Sequence, residues 1–335
     1  MHNILVFGSG GVGSIAAYAL DLAEDTSVTT IIRSDYDQVT KNGYKITSVD
    51  YGTIEAYKPS NVVKSIDEAK AHGPFDYVVI STKNTPDITK TEELVEPTIS
   101  EGKTVILLMQ NGIGIEELFL TKYPNNIVLS GVSMISSTNY DGVIDHVGHD
   151  FLKVGYFENP NIPIEKQKQA ALQFVLLYHN GKNECVYDED VKYTRWRKLV
   201  YNATLNSICT LTNVDVGRLQ LFGGVDSLVR SAMKEVLAIA KSDGVELDES
   251  IIDFMIHSDD GVYYAPSMLV DLRKGNYIEL EVISGNPVKI AQKNGVEAPT
   301  LTLIYNLLKV IQMRTKEAKG AISVPEIRPV PDGKL

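Results

Sequence analysis

The stretch NILVFGSGGVGSIAAYALDLA, residues 3–23, decides the fold class. Asn3 to Phe7 is a short apolar run rich in β-formers, SIAAYALDLA has helical composition, and GSGGVG joins them. Between a strand and a helix, the spacing G-x-G-x-x-G gives each glycine a task. Gly8 permits the tight turn, Gly10 lets backbone approach a pyrophosphate, and Gly13 lets the helix pack close to the strand. The helix N-terminus contributes N–H groups and a partial positive charge for phosphates. A glycine-rich turn without a ligand is the competing reading, and the flanking strand and helix argue against it. The segment predicts a Rossmann-type dinucleotide-binding unit.

The next strand, SVTTIIR, bears on which dinucleotide. A site for NAD usually ends this strand in Asp or Glu, which binds the ribose 2′-hydroxyl. Here it ends at Arg33, followed by Ser34, with Lys41 a few residues on. A guanidinium and a hydroxyl suit a 2′-phosphate, so NADP is expected, although Asp35 and Asp37 stand close by. Two later strands end in polar residues. DYVVISTK finishes at Lys83, and TVILLMQNGIG passes through Gln110-Asn111-Gly112. Ligands of open α/β sheets collect outside the carboxyl ends of strands, so Lys83 and Asn111 are placed for cofactor or substrate. The β-rich segments that follow are joined by Tyr140-Asp141-Gly142, a hairpin signal, so the sheet is expected to end in antiparallel strands.

After NECVYDED the strand pattern stops. Helical periodicity then covers roughly residues 190–211, 224–243, 248–257, 265–274, 278–294 and 300–318. The fold class is an α/β Rossmann-type domain, residues 1–187, followed by an all-α domain, residues 188–320. A tail over residues 321–335 carries Pro325, Pro329 and Pro331 without periodicity.

Bulk composition removes several function classes. Of 335 residues, 44% are hydrophobic and 22% charged, as in soluble globular proteins. A net charge of −11 argues against a nucleic-acid binder or a basic membrane-surface protein. No apolar run is long enough to cross a bilayer, and no leader precedes the first strand, so a cytoplasmic location is expected. Cys185 and Cys209 lie in apolar contexts and read as buried free thiols. His146 and His149 are a close pair without an evident third ligand, so no metal is expected.

One helix is unusual. WRKLVYNATLNS, residues 196–207, is mostly apolar, yet Lys198, Asn202 and Asn206 recur every four residues on one stripe. Taken alone, these are a snorkelling lysine and a helix–helix amide pair. Behind a dinucleotide-binding unit, they become candidates for a substrate site. Further on, APSMLVDLRKGNYIELEVISG offers Ser267 at one helix start, where it could cap, and Glu279 at the next.

GSGGVG, STK, MQNGIG, the WRKLVYNATLN helix and SMLVDLRKGNYIELEVISG together, in this order, resemble ketopantoate reductase, over most of the chain. The resemblance implies an NADPH-dependent reduction in a cleft between a Rossmann domain and a helical domain. It assigns the catalytic lysine to Lys198 and the substrate asparagines to Asn202 and Asn206. Asn111 takes the NG-motif asparagine, Lys83 the STK-type lysine, and Arg33 the 2′-phosphate arginine. Ser267 takes the substrate serine and Glu279 the acidic active-site residue. One departure concerns the substrate: bacterial relatives usually have Asn-Gly where this chain has Val216-Gly217.

The chemistry suits these groups. Hydride arriving at a ketone carbon puts negative charge on oxygen, which a protonated lysine both stabilises and neutralises. Glu279 is the candidate to keep Lys198 charged and positioned, while the two amides and Ser267 suit hydroxyl and carboxylate oxygens. The expected activity is reduction of the small carbonyl substrate ketopantoate to pantoate, in pantothenate biosynthesis. A reductase for ketopantoyl lactone or another small ketone is the runner-up, and a non-catalytic NADPH-binding sensor the third reading. Apolar helices to spare, with the habit of related enzymes, point to a homodimer.

Overall fold

The computed structural model describes residues 1–328 and divides into two compact units, Met1–Arg195 and the chain from Trp196 onward. The division falls inside one helix, Val191–Tyr201.

The first unit opens with β1 (His2–Phe7) and the helix Gly11–Asp21, then β2 (Thr26–Ile31) and the short helix Tyr36–Asn42. There follow β3 (Tyr44–Ser48), β4 (Gly52–Tyr57), β5 (Asn61–Val63), β6 (Tyr77–Ile80), β7 (Val105–Leu108) and β8 (Val128–Ser133). The strands close with β9 (Ser136–Tyr140), β10 (Val143–Gly148), β11 (Phe151–Phe157) and β12 (Glu184–Tyr187). Eight strands form one sheet in the order β12-β11-β8-β7-β6-β1-β2-β5. Pairing is parallel from β5 through β8, then β11 runs antiparallel to β8 and parallel to β12. The chain reverses its direction of progress at β1, which lies between β6 and β2, and this is where such sheets open a ligand crevice. Register sets the crevice edge: Phe7 pairs with Ile31 and Ile80, and Ile80 with Leu108. The residues just past these positions are the glycine turn, Arg33, Ser81 to Lys83, and Gln110 to Gly112.

The central strands read as continuous apolar runs because both faces are covered; Tyr77 to Ile80 are all buried. Helix Ile164–Tyr178, not singled out from sequence, packs Phe174 against Tyr77 with ring centroids 5.4 Å apart.

A second sheet, β4-β3-β10-β9, is an addition that the sequence reading did not separate. The Tyr140-Asp141-Gly142 hairpin forms: Tyr140 pairs with Val143, and Asp141 and Gly142 have φ of 50° and 88°. Two positive-φ residues make the tight turn whose twist suits paired strands. The hairpin does not, however, end the main sheet. It belongs to the small sheet, and the antiparallel pair at the end of the main sheet is β8 with β11. The alternation in β3, with Tyr44, Ile46 and Ser48 buried and Lys45 and Thr47 exposed, is the signal that could have revealed this second layer.

The second unit is helical among its described residues. Its segments are the remainder of Val191–Tyr201, then Ser207–Thr212, Val216–Leu221, Arg230–Ser242, Ser250–Ile256, Ser267–Arg273, Asn286–Asn294 and Pro299–Ala318. Three π-helical turns interrupt them: Asn202–Asn206, Val225–Val229 and Glu281–Gly285. The helix Val216–Leu221 fell in a gap between predicted segments, although Asp215 caps it by accepting from the Arg218 N–H at 2.8 Å. Trp196 is fully buried and donates from its ring nitrogen to Asp243 Oδ2 at 2.9 Å, which satisfies the one polar atom of that side chain. No described helix is long and apolar enough to cross a membrane. Pro325 lies outside any helix or strand, while Pro329 and Pro331 are beyond the described residues.

Candidate active site

The glycine turn divides its labour as the spacing requires. Gly8 has φ of 133°, and a Cβ there would stand 2.5 Å from Ser81 Oγ and 2.7 Å from the Thr82 backbone nitrogen. A Cβ on Gly13 would overlap the Gly8 carbonyl oxygen, so the helix can approach the strand only without a side chain. Gly10 differs: a Cβ there would meet nothing within 4 Å. Its backbone faces open space, which is what a ligand-approach position requires. No acidic residue occupies the first turn of the helix Gly11–Asp21, so its positive end is not offset there. These features fit the phosphates of a dinucleotide.

Gly11, which lies outside the G-x-G-x-x-G positions, is also required. A Cβ on it would overlap the backbone of Ser137, and Ser137 Oγ donates to Gly11 O at 3.1 Å. The edge strand β9 therefore lies directly on the glycine turn, and Asn139 two residues on donates to Ser9 O at 2.7 Å.

At the end of β2, Arg33 and Ser34 are exposed. The neighbouring carboxylates are engaged elsewhere: Asp35 is only 7% exposed and accepts from Asn139 Nδ2 at 2.7 Å. Asp37 is ion-paired with Lys64 at 3.4 Å.

The other two strand ends are tied together. Ser81 Oγ donates to Gly8 O at 3.1 Å, linking the β6 end to the glycine turn. The Gln110 side chain donates to Thr82 O at 2.7 Å and accepts from Asn84 at 3.1 Å. Lys83 is exposed on this edge, and Asn111 is half-buried beside Gly112, whose φ is 97°.

Sequence reasoning missed Arg195. Its guanidinium is buried and donates to Ser130 Oγ at 2.8 Å, to Gln110 O at 3.1 Å and to Gly112 O at 2.9 Å. Two of these bonds bracket Asn111, so Arg195 fixes the backbone that presents it. Burial pushes the guanidinium down to about 10, opposed by the charges of Glu116 and Asp188, so it stays protonated at neutral pH. Nothing local marks it in the sequence, since an arginine beside a tryptophan declares no partners until the fold supplies them.

In the helical unit, Lys198 is half-buried in the last turn of Val191–Tyr201, and Asn202 opens the π-turn Asn202–Asn206. Bonds from i to i+5 widen this turn beyond 3.6 residues, so a four-residue spacing stays close to one face. Every residue from Asn202 to Thr210 is buried. Asn206 and Ser267 are brought together: Asn206 Nδ2 donates to Ser267 Oγ at 3.2 Å, and Asn206 Oδ1 accepts from the Met268 N–H at 3.0 Å. Pro266 cannot cap the helix Ser267–Arg273 with a side chain, and Asn206 performs that task from another helix. Glu279 is 4% exposed and follows Ile278, which exchanges two 3.1 Å bonds with the Gln312 side chain.

The histidines serve structure. His146 Nδ1 pairs with Ser48 Oγ at 2.8 Å and His149 Nδ1 with Asp50 Oδ1 at 2.7 Å. Among the described residues no group of three His, Cys, Asp or Glu could hold a metal ion. Cys185 and Cys209 are buried and free.

Two family models match this chain: "Ketopantoate reductase PanE/ApbA" over residues 4–159 and "Ketopantoate reductase PanE/ApbA C terminal" over residues 190–312. The chain belongs to the ketopantoate reductase family. An uncharacterised protein of Saccharomyces cerevisiae is 38% identical, over 97% of this chain and 98% of that one. The crystal structure of 2-dehydropantoate 2-reductase from Methylococcus capsulatus is 31% identical, with a TM-score of 0.77, covering 93% of this chain and 97% of that one. D-mandelate dehydrogenase, solved with NADH and anilino(oxo)acetate, shares the fold at a TM-score of 0.82 and 20% identity, covering 94% of this chain and 99% of that one. As a family member, the protein is an oxidoreductase acting on CH–OH groups.

Proposed function

We propose that the protein reduces ketopantoate to pantoate with NADPH, and that Lys198 supplies the proton. The observation that carries the cofactor half is the end of β2, where Arg33 and Ser34 are exposed while Asp35 and Asp37 are engaged by Asn139 and Lys64. A guanidinium and a hydroxyl complement a 2′-phosphate, and the carboxylate nearest to them, Asp35, is turned inward. The substrate half rests on family membership and on the name of the Methylococcus enzyme.

The cofactor, when bound, supplies the hydride. Gly8, Gly10 and Gly13 form the turn for its pyrophosphate, and Arg33 holds its 2′-phosphate; Lys83 and Asn111 serve its strand-end side, with Asn111 also reaching substrate. Lys198 Nζ donates a proton to the carbonyl oxygen as negative charge develops there, and its own charge stabilises that oxygen beforehand. Asn202 and Asn206 orient substrate oxygens. The Asn206 amide retains one N–H and part of its acceptor capacity after its bonds to Ser267 and Met268. Ser267 takes the carboxylate end, and Glu279 is the acidic residue that positions Lys198. The site acts in the cytoplasm, in pantothenate biosynthesis, within a homodimer.

Val216 favours one alternative substrate class. By the family resemblance it stands where bacterial relatives usually carry an asparagine, and it is only 2% exposed, so an apolar, packed side chain occupies that place. A less polar carbonyl such as ketopantoyl lactone suits this change. A panel of 2-oxo acids, ketones and ketopantoyl lactone, followed by NADPH absorbance, ranks them by kcat/KM. Ketopantoate is expected first; a higher value for the lactone, or for a carbonyl lacking the carboxylate, overturns the substrate assignment.

A further inference from the structure

An acidic side chain just after β2 normally marks an NAD site, because it accepts from the ribose hydroxyls and repels a 2′-phosphate. This chain has such a residue, Asp35, two positions past Arg33. Asp35 also stands at the N-cap of the helix Tyr36–Asn42, where an aspartate ordinarily accepts from the helix N–H groups. It makes no such bond. It is turned inward instead, 93% hidden from solvent by its 7% exposure, with Oδ2 receiving the Asn139 amide at 2.7 Å.

Asn139 is itself held on three sides. Its Nδ2 donates to Ser9 O in the glycine turn at 2.7 Å, and its Oδ1 accepts from Gly142 N at 2.9 Å across the β9–β10 hairpin. The added small sheet thus reaches over the glycine turn with one amide and draws the carboxylate behind it. Asn139 Nδ2 has two hydrogens, one for Ser9 and one for Asp35, so the same nitrogen couples phosphate-loop geometry to the position of the acid.

We infer that Asn139 is a positioning residue for cofactor specificity: by holding Asp35 inward it leaves the 2′ position to Arg33 and Ser34, and so allows NADPH. The inference rests on the NADPH reading above. Released from Asn139, Asp35 can swing toward the ribose, where its charge opposes a phosphate and its oxygens suit bare hydroxyls. A unit charge a few ångströms from a phosphate near the surface corresponds to about tenfold or more in affinity.

The test is isothermal titration of NADPH and NADH separately into the full chain, which needs no substrate. Asn139→Leu keeps the shape and removes both donors, and Asn139→Ala is a second version should the first fold poorly. The expected result is about a tenfold loss of NADPH affinity with NADH affinity unchanged or improved. Adding Asp35→Asn to either variant should restore NADPH binding to within about threefold of wild type, whereas Asp35→Asn alone should change little, a coupling that a double-mutant cycle reads directly. Equal weakening of both cofactors, without rescue by Asp35→Asn, overturns the inference and leaves Asn139 as a brace for the glycine turn. Tighter binding of NADH than NADPH by the wild-type chain contradicts the cofactor reading itself, and that result is read before any variant is made.

Discussion

The two units specify their sites in different ways. In the first, the proposed ligand position is a shape of the backbone, made by residues that lack something. Gly8, Gly11 and Gly13 cannot carry a Cβ because strand, helix and β9 lie against them, and Gly10 lacks one with nothing nearby. In the second, the proposed site draws its side chains from separate segments: Lys198, Asn202 and Asn206 from one helical run, Ser267 from another helix, and Glu279 further along the chain. Backbone shape is encoded within a dozen residues and tolerates little. Convergent side chains depend on π-turns and on packing between helices, and Asn206 also caps the helix Ser267–Arg273.

This contrast orders the expected effects. Lys198→Ala should lower turnover by roughly a hundred- to ten-thousandfold, the range of general-acid contributions, with NADPH affinity kept within about threefold. Steady-state kinetics beside calorimetry separates the two. A comparable loss of cofactor affinity would break the division between a shape-defined and a side-chain-defined site. In the first unit, Gly13→Ala forces a methyl into the Gly8 carbonyl, and a cost of about 2–4 kcal/mol is expected, read as a fall in Cm with unchanged m. Gly10→Ala should leave stability within about 1 kcal/mol, since its Cβ meets no protein atom, while weakening NADPH binding. If the two alanines behave alike, the assignment of Gly10 to ligand approach fails.

A third prediction concerns the polar knot under the small sheet. Asp150 is fully buried, accepts from Tyr178 at 2.9 Å, leaves Oδ1 without a partner, and is pushed by burial from 3.8 to about 6. A raised carboxyl binds its proton more tightly in the folded than in the unfolded chain. Its stabilisation is therefore complete below about pH 4 and is lost as pH rises through 6, by about 2–3 kcal/mol. His149, raised chiefly by its bond to Asp50, changes stability in the same direction. Asp50, held low by the Asp150 N–H and His149 against the desolvation that raises it, acts oppositely below its ordinary range. Asp150→Asn should flatten the decline between pH 4 and 7 and stabilise the protein at pH 7.5. Chemical denaturation across pH reads this, and an unchanged slope contradicts it. A smaller loss is expected for Asn206→Ala, which removes the external cap on Met268: about 1–2 kcal/mol, with a larger loss in kcat/KM than stability alone explains.

Legibility in the sequence followed the same division. The glycine turn, the strand ends at Arg33, Lys83 and Asn111, and most helices of the second unit could be read because local composition and period specify them. The small sheet was only partly legible: the alternation of β3 marks a half-buried strand, but its pairing with β10 spans about a hundred residues, which no local pattern reports. Arg195 and Asn139 were invisible for a related reason. Each looks like an ordinary polar residue until the fold brings carbonyls to the one and a carboxylate to the other. The lysine–asparagine stripe was visible, but the π-turn that carries it, and the capping of Met268 by Asn206, depend on contacts sixty residues away.

The most direct test of the account is the wild-type kcat/KM for ketopantoate measured with NADPH and with NADH in parallel. The account predicts turnover with NADPH preferred by at least about tenfold, the discrimination that one well-placed guanidinium supports. Preference for NADH, or reduction of no 2-oxo acid with either cofactor while both bind, would contradict it.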